Sequence, residues 1–182
     1  HVPILRHMNV PVFDGAHIVA VAGVANKAEP YDDTDVVQLS LLMDGMWAHV
    51  RRLRAAEALR ENEEKYRGLF ESAGEGILIL DGRRIIDCNR AAEVMFGIGL
   101  DKLVGSDVVM LSPSRQPDGS ESDVVADDYI RRASGGEAVS FEWVHMRADG
   151  SFFFTEVSLS PLNLTSGVRV LAFIRDVSTH KT

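Results

Sequence analysis

The sequence predicts an α+β fold: a five-stranded antiparallel sheet with small helices on one face, preceded by a β-hairpin and a long helix. Three observations carry that prediction. Short apolar runs of strand length are broken by Asp-Gly at 14–15, 81–82 and 149–150, a dipeptide suited to the left-handed backbone of tight hairpin turns. Residues 31–73 contain no proline and only two glycines, as a long helix requires. From Gly76 onward the order is two strands, three or four small helices and three strands, which gathers the helices on one face of a single sheet.

The chain reads in three segments, 1–35, 36–65 and 66–182. In the first, "LRHMNVPVF" and "HIVAVAGVAN" flank Asp14-Gly15 as a hairpin. Two strands bury too little apolar surface to stand alone in water, so this piece is expected to belong to an incomplete domain and to need a helix or a second chain as cover. His1 opens directly into strand sequence, and the chain is therefore expected to be part of something longer.

In the second segment, Asp32, Asp33 and Asp35 stand where the positive end of a helix dipole favours acids. Leu39, Met43, Met46, Val50 and Leu53 then alternate by four and three, the spacing of a coiled-coil seam, and the seam steps by three twice to reach Leu59. Two readings stay open. Either these residues pair the helix with its twin in a homodimer, or residues 36–50 cover the hairpin and residues 60–72 cover the next domain, with an exposed charged stretch between.

In the third segment "GILIL" and "RRIIDCN" form a hairpin about Asp81-Gly82, and "RAAEVMFG" is a short helix capped by Asn89 and stopped by Gly97. "DKLVG" adds a turn of helix. Ser120, with Asp123 three residues on, is expected to cap a further helix through Arg132, whose Val125, Tyr129, Ile130 and Ala133 make one apolar stripe. Strands come next at about 139–147, 151–162 and 168–177. The turn at Ala148-Asp149-Gly150 sets Arg147 opposite Ser151 and His145 opposite Phe153, so Phe141, Trp143, His145, Phe153, Val157 and Leu159 share a face.

With 46% hydrophobic residues in 182, a packed core is well supplied, and disorder is excluded. A net charge of −8 repels nucleic-acid phosphates and anionic membranes, so neither is an expected partner of this segment. One cysteine rules out an internal disulfide, and no signal peptide or long apolar run is present, which points to a cytoplasmic setting.

"YRGLFESAGEGILILD", "GRRIIDCNRAAEVMFG", "LVG", "FEWVHMRADGS", "VSLSPL" and "FIRDVS" succeed one another in the order and spacing of a PAS domain, and the chain from about Tyr66 resembles that family. "VPVFDGAHIVAVAGVANKAEPYDDTDVVQLSLLMDGMW" is similar to the last hairpin and C-terminal helix of a GAF domain whose earlier part is missing. The resemblance implies a sensory input module that relays change along a helix to a downstream kinase, cyclase or regulator. It also implies that Asp176, in the closing "RDVS", couples the last strand to the next domain.

The expected ligand pocket is lined by Ile77, Ile79, Met95, Phe96, Leu103, Met110, Leu111, Trp143, Phe154 and Phe173, with Asn89 and Arg147 as polar handles. Its occupant is either none, the core being filled, or a small organic molecule. His145 is read as a hydrogen-bonded sheet residue rather than a ligand, because His1, His7, His17, His49 and His180 show no paired metal spacing. Haem is disfavoured: PAS relatives take that ligand from the helix before this strand, and "DVVADDYIRRASGG" has no histidine. Flavin is disfavoured too, the cysteine motif of its light-sensing relatives being absent. Cys88, beside a helix start, is either an acidified thiol or a small buried hydrophobe. Catalytic motifs are lacking, and Glu142 with Glu156 is only a pair of strand neighbours.

Overall fold

The computed structural model describes residues 3–178, and the chain divides into two units, His1–Glu64 and Lys65–Thr182. In the first unit β1 (His7–Asp14) and β2 (His17–Ala25) pair antiparallel about Gly15, whose φ of +60° is the left-handed turn conformation that glycine adopts without strain. Alternate residues Met8, Val10 and Val12 are buried, the period of a strand with one covered face.

Helix α1 (Asp33–Ser72) begins with Asp32 Oδ1 accepting from Asp35 N at 3.0 Å, and Asp35 in turn pairs with Lys27 at 2.6 Å. Leu39, Met43, Trp47 and Val50 are half-buried, and Arg51 reaches Asp14 in the hairpin turn at 3.1 Å. Met46, Leu53 and Leu59 are instead 54, 58 and 68% exposed. The six residues expected on one seam therefore do not share one environment. Leu59 also falls on the far side of the helix, because two steps of three followed by none of four rotate the stripe away.

In the second unit β3 (Gly76–Asp81), β4 (Arg84–Cys88), β5 (Val139–Met146), β6 (Phe152–Leu164) and β7 (Gly167–Asp176) form one antiparallel sheet in the order β4-β3-β7-β6-β5. Helices α2 (Arg90–Phe96), α3 (Leu100–Leu103) and α4 (Ser122–Ser134), with a 3-10 turn at Val108–Leu111, lie between β4 and β5 in sequence. They cover one face, where Leu78, Leu80, Ile85, Phe96, Leu103, Leu111, Val170 and Ile174 are almost wholly buried. The opposite face carries a smaller cluster, Phe70 from the end of α1 with Ile77 and Ile79, flanked by Leu162, Leu171 and Phe173.

Local signals explain the boundaries. Asn89 caps α2, and Gly97 ends it with φ of +67°. Ser120 does not cap α4 as expected: its hydroxyl bonds Asp118 at 2.6 Å, a competing turn contact, and the helix starts two residues later with Glu121 at its cap position.

Candidate functional site: a small cavity beneath the helices

The inner faces of β3, β5, β6 and β7 meet α4 and the 3-10 turn around a cavity of about 50 Å³. Leu78, Leu80, Val157 and Ile174 form its floor, and Val108, Tyr129 and Ile130 its roof. The wall is aromatic: Tyr129 stacks on Phe141 with centroids 4.0 Å apart, and Phe141 meets Trp143 edge to face at 5.6 Å. The polar groups at its edge are few. Trp143 Nε1 donates to Ser112 Oγ at 2.9 Å, and His145 closes one end.

His145 lies opposite Phe153, the expected register. It is 5% exposed, and its ring meets Phe96 edge to face at 5.2 Å. His145 Nδ1 is 2.8 Å from Thr155 Oγ1, and that hydroxyl donates to the Trp143 carbonyl at 3.0 Å. A hydroxyl has one proton, so Thr155 accepts from the ring, and Nδ1 carries the imidazole hydrogen. Burial of the ring, with no acid beside it, pushes the imidazole pKa down to about 3, so the side chain is neutral.

Several expected lining residues are placed elsewhere. Phe96, Leu103 and Leu111 are in the main core and Met95 packs against it, and of the ten apolar residues expected, Trp143 alone lines the cavity. Ile77, Ile79 and Phe173 point to the other face of the sheet, since neighbouring residues of a strand alternate sides and Leu78, Leu80, Ala172 and Ile174 take the inner one. Phe154 is 43% exposed for the same reason, Phe153 being the inward residue. Met110 is 46% exposed on the outside of its 3-10 turn.

Asn89 is a structural hub rather than a polar handle. Fully buried, it accepts from Ile77 N at 2.8 Å and Ala92 N at 3.0 Å through Oδ1, and donates from Nδ2 to the carbonyls of Phe70 at 3.1 Å and Glu75 at 3.0 Å. Arg147 lies outside the cavity too. Its guanidinium sits 3.9 Å from the Phe153 ring centroid, donates to the Met95 carbonyl, and bonds Asp176 at 2.8 Å. Partial burial works to raise the Asp176 pKa, but hydrogen bonds from Ser178 and Arg147 outweigh it and hold the carboxyl below the usual range.

Cys88 is buried, and desolvation, with Glu93, Asp87 and Glu71 adding to it, pushes its thiol up to about 11. The buried hydrophobe is the role that fits, because the acidifying effect of a helix start is overridden. Among the described residues no group of three or more His, Cys, Asp or Glu is placed to hold a metal, and His1 and His180 lie outside them. Glu142 and Glu156 are directly paired, but Glu156 is engaged by Arg175. No helix of the described residues is long and apolar enough to cross a membrane.

Two contributors were not foreseen. Thr155, buried beneath His145, sets the ring's tautomer; its alternation with Phe153 and Val157 on the inward face was the available signal. Gln116 covers the free edge of β5, accepting from Val144 N at 2.9 Å and donating to Val144 O at 3.3 Å and Ser122 Oγ at 2.9 Å. It sits in a Pro- and Ser-rich loop that carries no periodic signal.

Five antiparallel strands in this order, with short helices over one face and a small inner cavity, define an α+β domain of the PAS type. The chain belongs to the PAS domain family, whose model matches residues 74–179. It is similar to the PAS domain of an HTR-like protein from Haloarcula marismortui, with 26% identity and a TM-score of 0.59 over 68% of this chain and 98% of that one. A domain of a sensory box sensor histidine kinase/response regulator from Geobacter sulfurreducens shares 29% identity at a TM-score of 0.50, over 65% of this chain and 96% of that one. The methyl sulfide methyltransferase-associated sensor of Methanosarcina acetivorans is 55% identical over 75 residues, which are 41% of this chain and 7% of that protein.

Proposed function

We propose that this chain is the sensory input portion of a signalling protein, in which a PAS core binds a small organic ligand and passes the change to an output domain. The observation that carries this reading is the line of contacts leading from the cavity to the end of the sheet. His145 borders the cavity and packs on Phe153 at 5.7 Å; Phe153 carries the Arg147 guanidinium, which holds Asp176; and Asp176 Oδ1 accepts from Ser178 N at 2.9 Å where the last strand ends. A ligand that shifts the His145 end has a packed route to the chain's exit.

The sensor and sensor-kinase relatives support a sensory role, and the output is a kinase, cyclase or regulator, as the family resemblance implies. The first segment, by its GAF-like sequence, is the tail of a preceding domain, and α1 is the helix through which two copies pair. Haem and flavin fit poorly, because pockets for ligands of drug size or larger run to several hundred Å³, against about 50 Å³ for this cavity.

A second reading, a ligand-free dimerisation scaffold, draws support from the outer face of the sheet. There Tyr66, Leu69, Ile77, Leu162 and Phe173 border an apolar groove of about 240 Å³. Native mass spectrometry of freshly purified protein, with its visible spectrum, separates the two. An added small mass supports the ligand sensor. A bare, colourless dimer supports the scaffold, and a coloured species overturns both in favour of haem or flavin.

A further inference from the structure

The hydrogen bonds around His145 specify the chemistry of an occupant. Because Thr155 gives its proton to the Trp143 carbonyl, it receives the one on Nδ1, and Nε2 is left with a lone pair. Nε2 lies on the distal edge of the imidazole, and the ring lines the space beneath the helices. Among the described residues the one hydrogen bond of the ring is that of Nδ1, so Nε2 has no protein partner, and the ring that carries it lines the cavity.

The other polar groups at this cavity constrain the partner further. Ser112 Oγ accepts from Trp143 Nε1, an atom that can only donate, and therefore keeps its own proton for a ligand oxygen. None of the lining residues is Asp, Glu, Lys or Arg. An ion entering the cavity would lose its hydration with no opposite charge in return, a cost that a neutral molecule avoids. The volume, about 50 Å³, corresponds to about three or four water-sized spheres.

Resting on the reading of this cavity as a ligand site, we infer that it takes an uncharged hydroxyl compound of very few heavy atoms, which donates its O–H to His145 Nε2. An anion is refused because its acceptor lone pairs would meet that of Nε2. A ketone of the same size is a poorer ligand, because it has no proton to offer and leaves Nε2 desolvated without a partner.

The test compares propan-2-ol with acetone, matched in heavy atoms and differing in the donor, with acetate as the anionic control. The full chain is labelled with ¹⁵N, and the His145 ring nitrogens are followed during each titration. The free protein is expected to show the Nδ1–H tautomer. Propan-2-ol is expected to move the Nε2 signal and to bind about fivefold more tightly than acetone, the factor that one net hydrogen bond supplies, while acetate does not bind. His145→Leu is expected to bring the two affinities together, and Ser112→Ala to weaken propan-2-ol without abolishing its preference. An Nε2–H tautomer, equal affinities in the wild type, or a preference for acetate overturns the inference while leaving the cavity as a ligand site. Failure of propan-2-ol and acetone alike to perturb any cavity residue overturns the ligand-site reading with it.

Discussion

Arg147 and Asp176 meet at 2.8 Å across the ends of β5 and β7, strands that are not hydrogen-bonded to one another because β6 lies between them. The pair therefore bridges the width of two strand spacings by side chains alone. The same guanidinium bonds the carbonyl of Met95 near the end of α2 and lies over Phe153, so one cation gathers a helix end, a strand end and a core ring.

Asp176→Ala removes the bond to Arg147 and the turn bonds to Ser178. Both partners of the ion pair keep about a third of their side-chain surface in solvent, 30 and 33%. The expected cost in stability is accordingly modest, about 1 kcal/mol, and the fold persists. Coupling is expected to suffer more: in a protein carrying an output domain, wild type responds to stimulus and the variant gives one fixed output. Urea unfolding with a full output assay checks both halves, and a variant with normal stimulus response removes Asp176 from the relay.

The buried imidazole makes stability depend on pH over a defined window. With a folded pKa of about 3, His145 stays neutral while the unfolded chain takes up a proton as pH falls below the ordinary value of 6.5. The unfolded state then binds more protons than the native one, and stability falls with falling pH. The slope attributable to this group approaches roughly 1.4 kcal/mol per pH unit. Between about 5.5 and 6.5 it is expected to stand clear of the depressed carboxylates Asp176 and Glu93, whose contributions are lost at lower pH. Denaturant midpoints taken across that range should fall for wild type and flatten for His145→Leu; parallel curves for the two proteins would contradict the assignment.

The order of the elements was legible because it rests on strong local signals, such as the Asp-Gly turns and the Asn89 and Gly97 caps of α2. The lining of the cavity was much less so. In "GILIL" every residue is apolar, so a period of two cannot tell which of Ile77 and Leu78 turns inward; the pairing of β3 with β7 decides it. "FFF" presents the same ambiguity, although the register that sets His145 opposite Phe153 already implies that Phe154 faces outward. The sequence marks Asn89 as a cap, but its bonds to Ile77, Phe70 and Glu75 join segments up to nineteen residues apart and leave no local trace.

That network makes Asn89 the polar residue whose loss should hurt most. Asn89→Ala strands two backbone N–H groups and two carbonyls, some of them buried, and leaves α2 uncapped. The expected loss is about 3 kcal/mol. Asn89→Asp preserves the acceptor for Ile77 and Ala92 but turns a carboxylate oxygen towards the carbonyls of Phe70 and Glu75, and is expected to destabilise nearly as much at neutral pH. Thermal unfolding of the two variants checks this. A midpoint within a degree or two of wild type would show that the hub contributes little.

Cys88 offers a contrast, a group whose burial protects rather than joins. Its thiol, pushed up to about 11, is almost wholly protonated at neutral pH and reaches little solvent. Maleimide labelling of the native protein is expected to be slow and to accelerate by orders of magnitude in denaturant, because the thiolate is the reactive species. Fast labelling under native conditions would restore the reactive-thiol reading.

The proposed pairing of two copies rests on residues of α1 that are exposed within a single chain. Met46, Leu53 and Leu59 leave 54, 58 and 68% of their surface in solvent, so a charged substitution among them has little native packing to disturb. Leu53→Glu is therefore expected to leave unfolding of the second unit unchanged while weakening self-association by about tenfold or more, since a desolvated carboxylate at a helix seam has no partner to offset its burial. Leu59 falls on the other side of the helix, and Leu59→Glu is expected to have a much smaller effect if the seam of residues 46 and 53 is the surface that pairs. Sedimentation equilibrium over a range of concentrations measures both. Equal weakening by the two variants would place the contact elsewhere on the helix, and a wild-type monomer at tens of micromolar would sink the pairing itself.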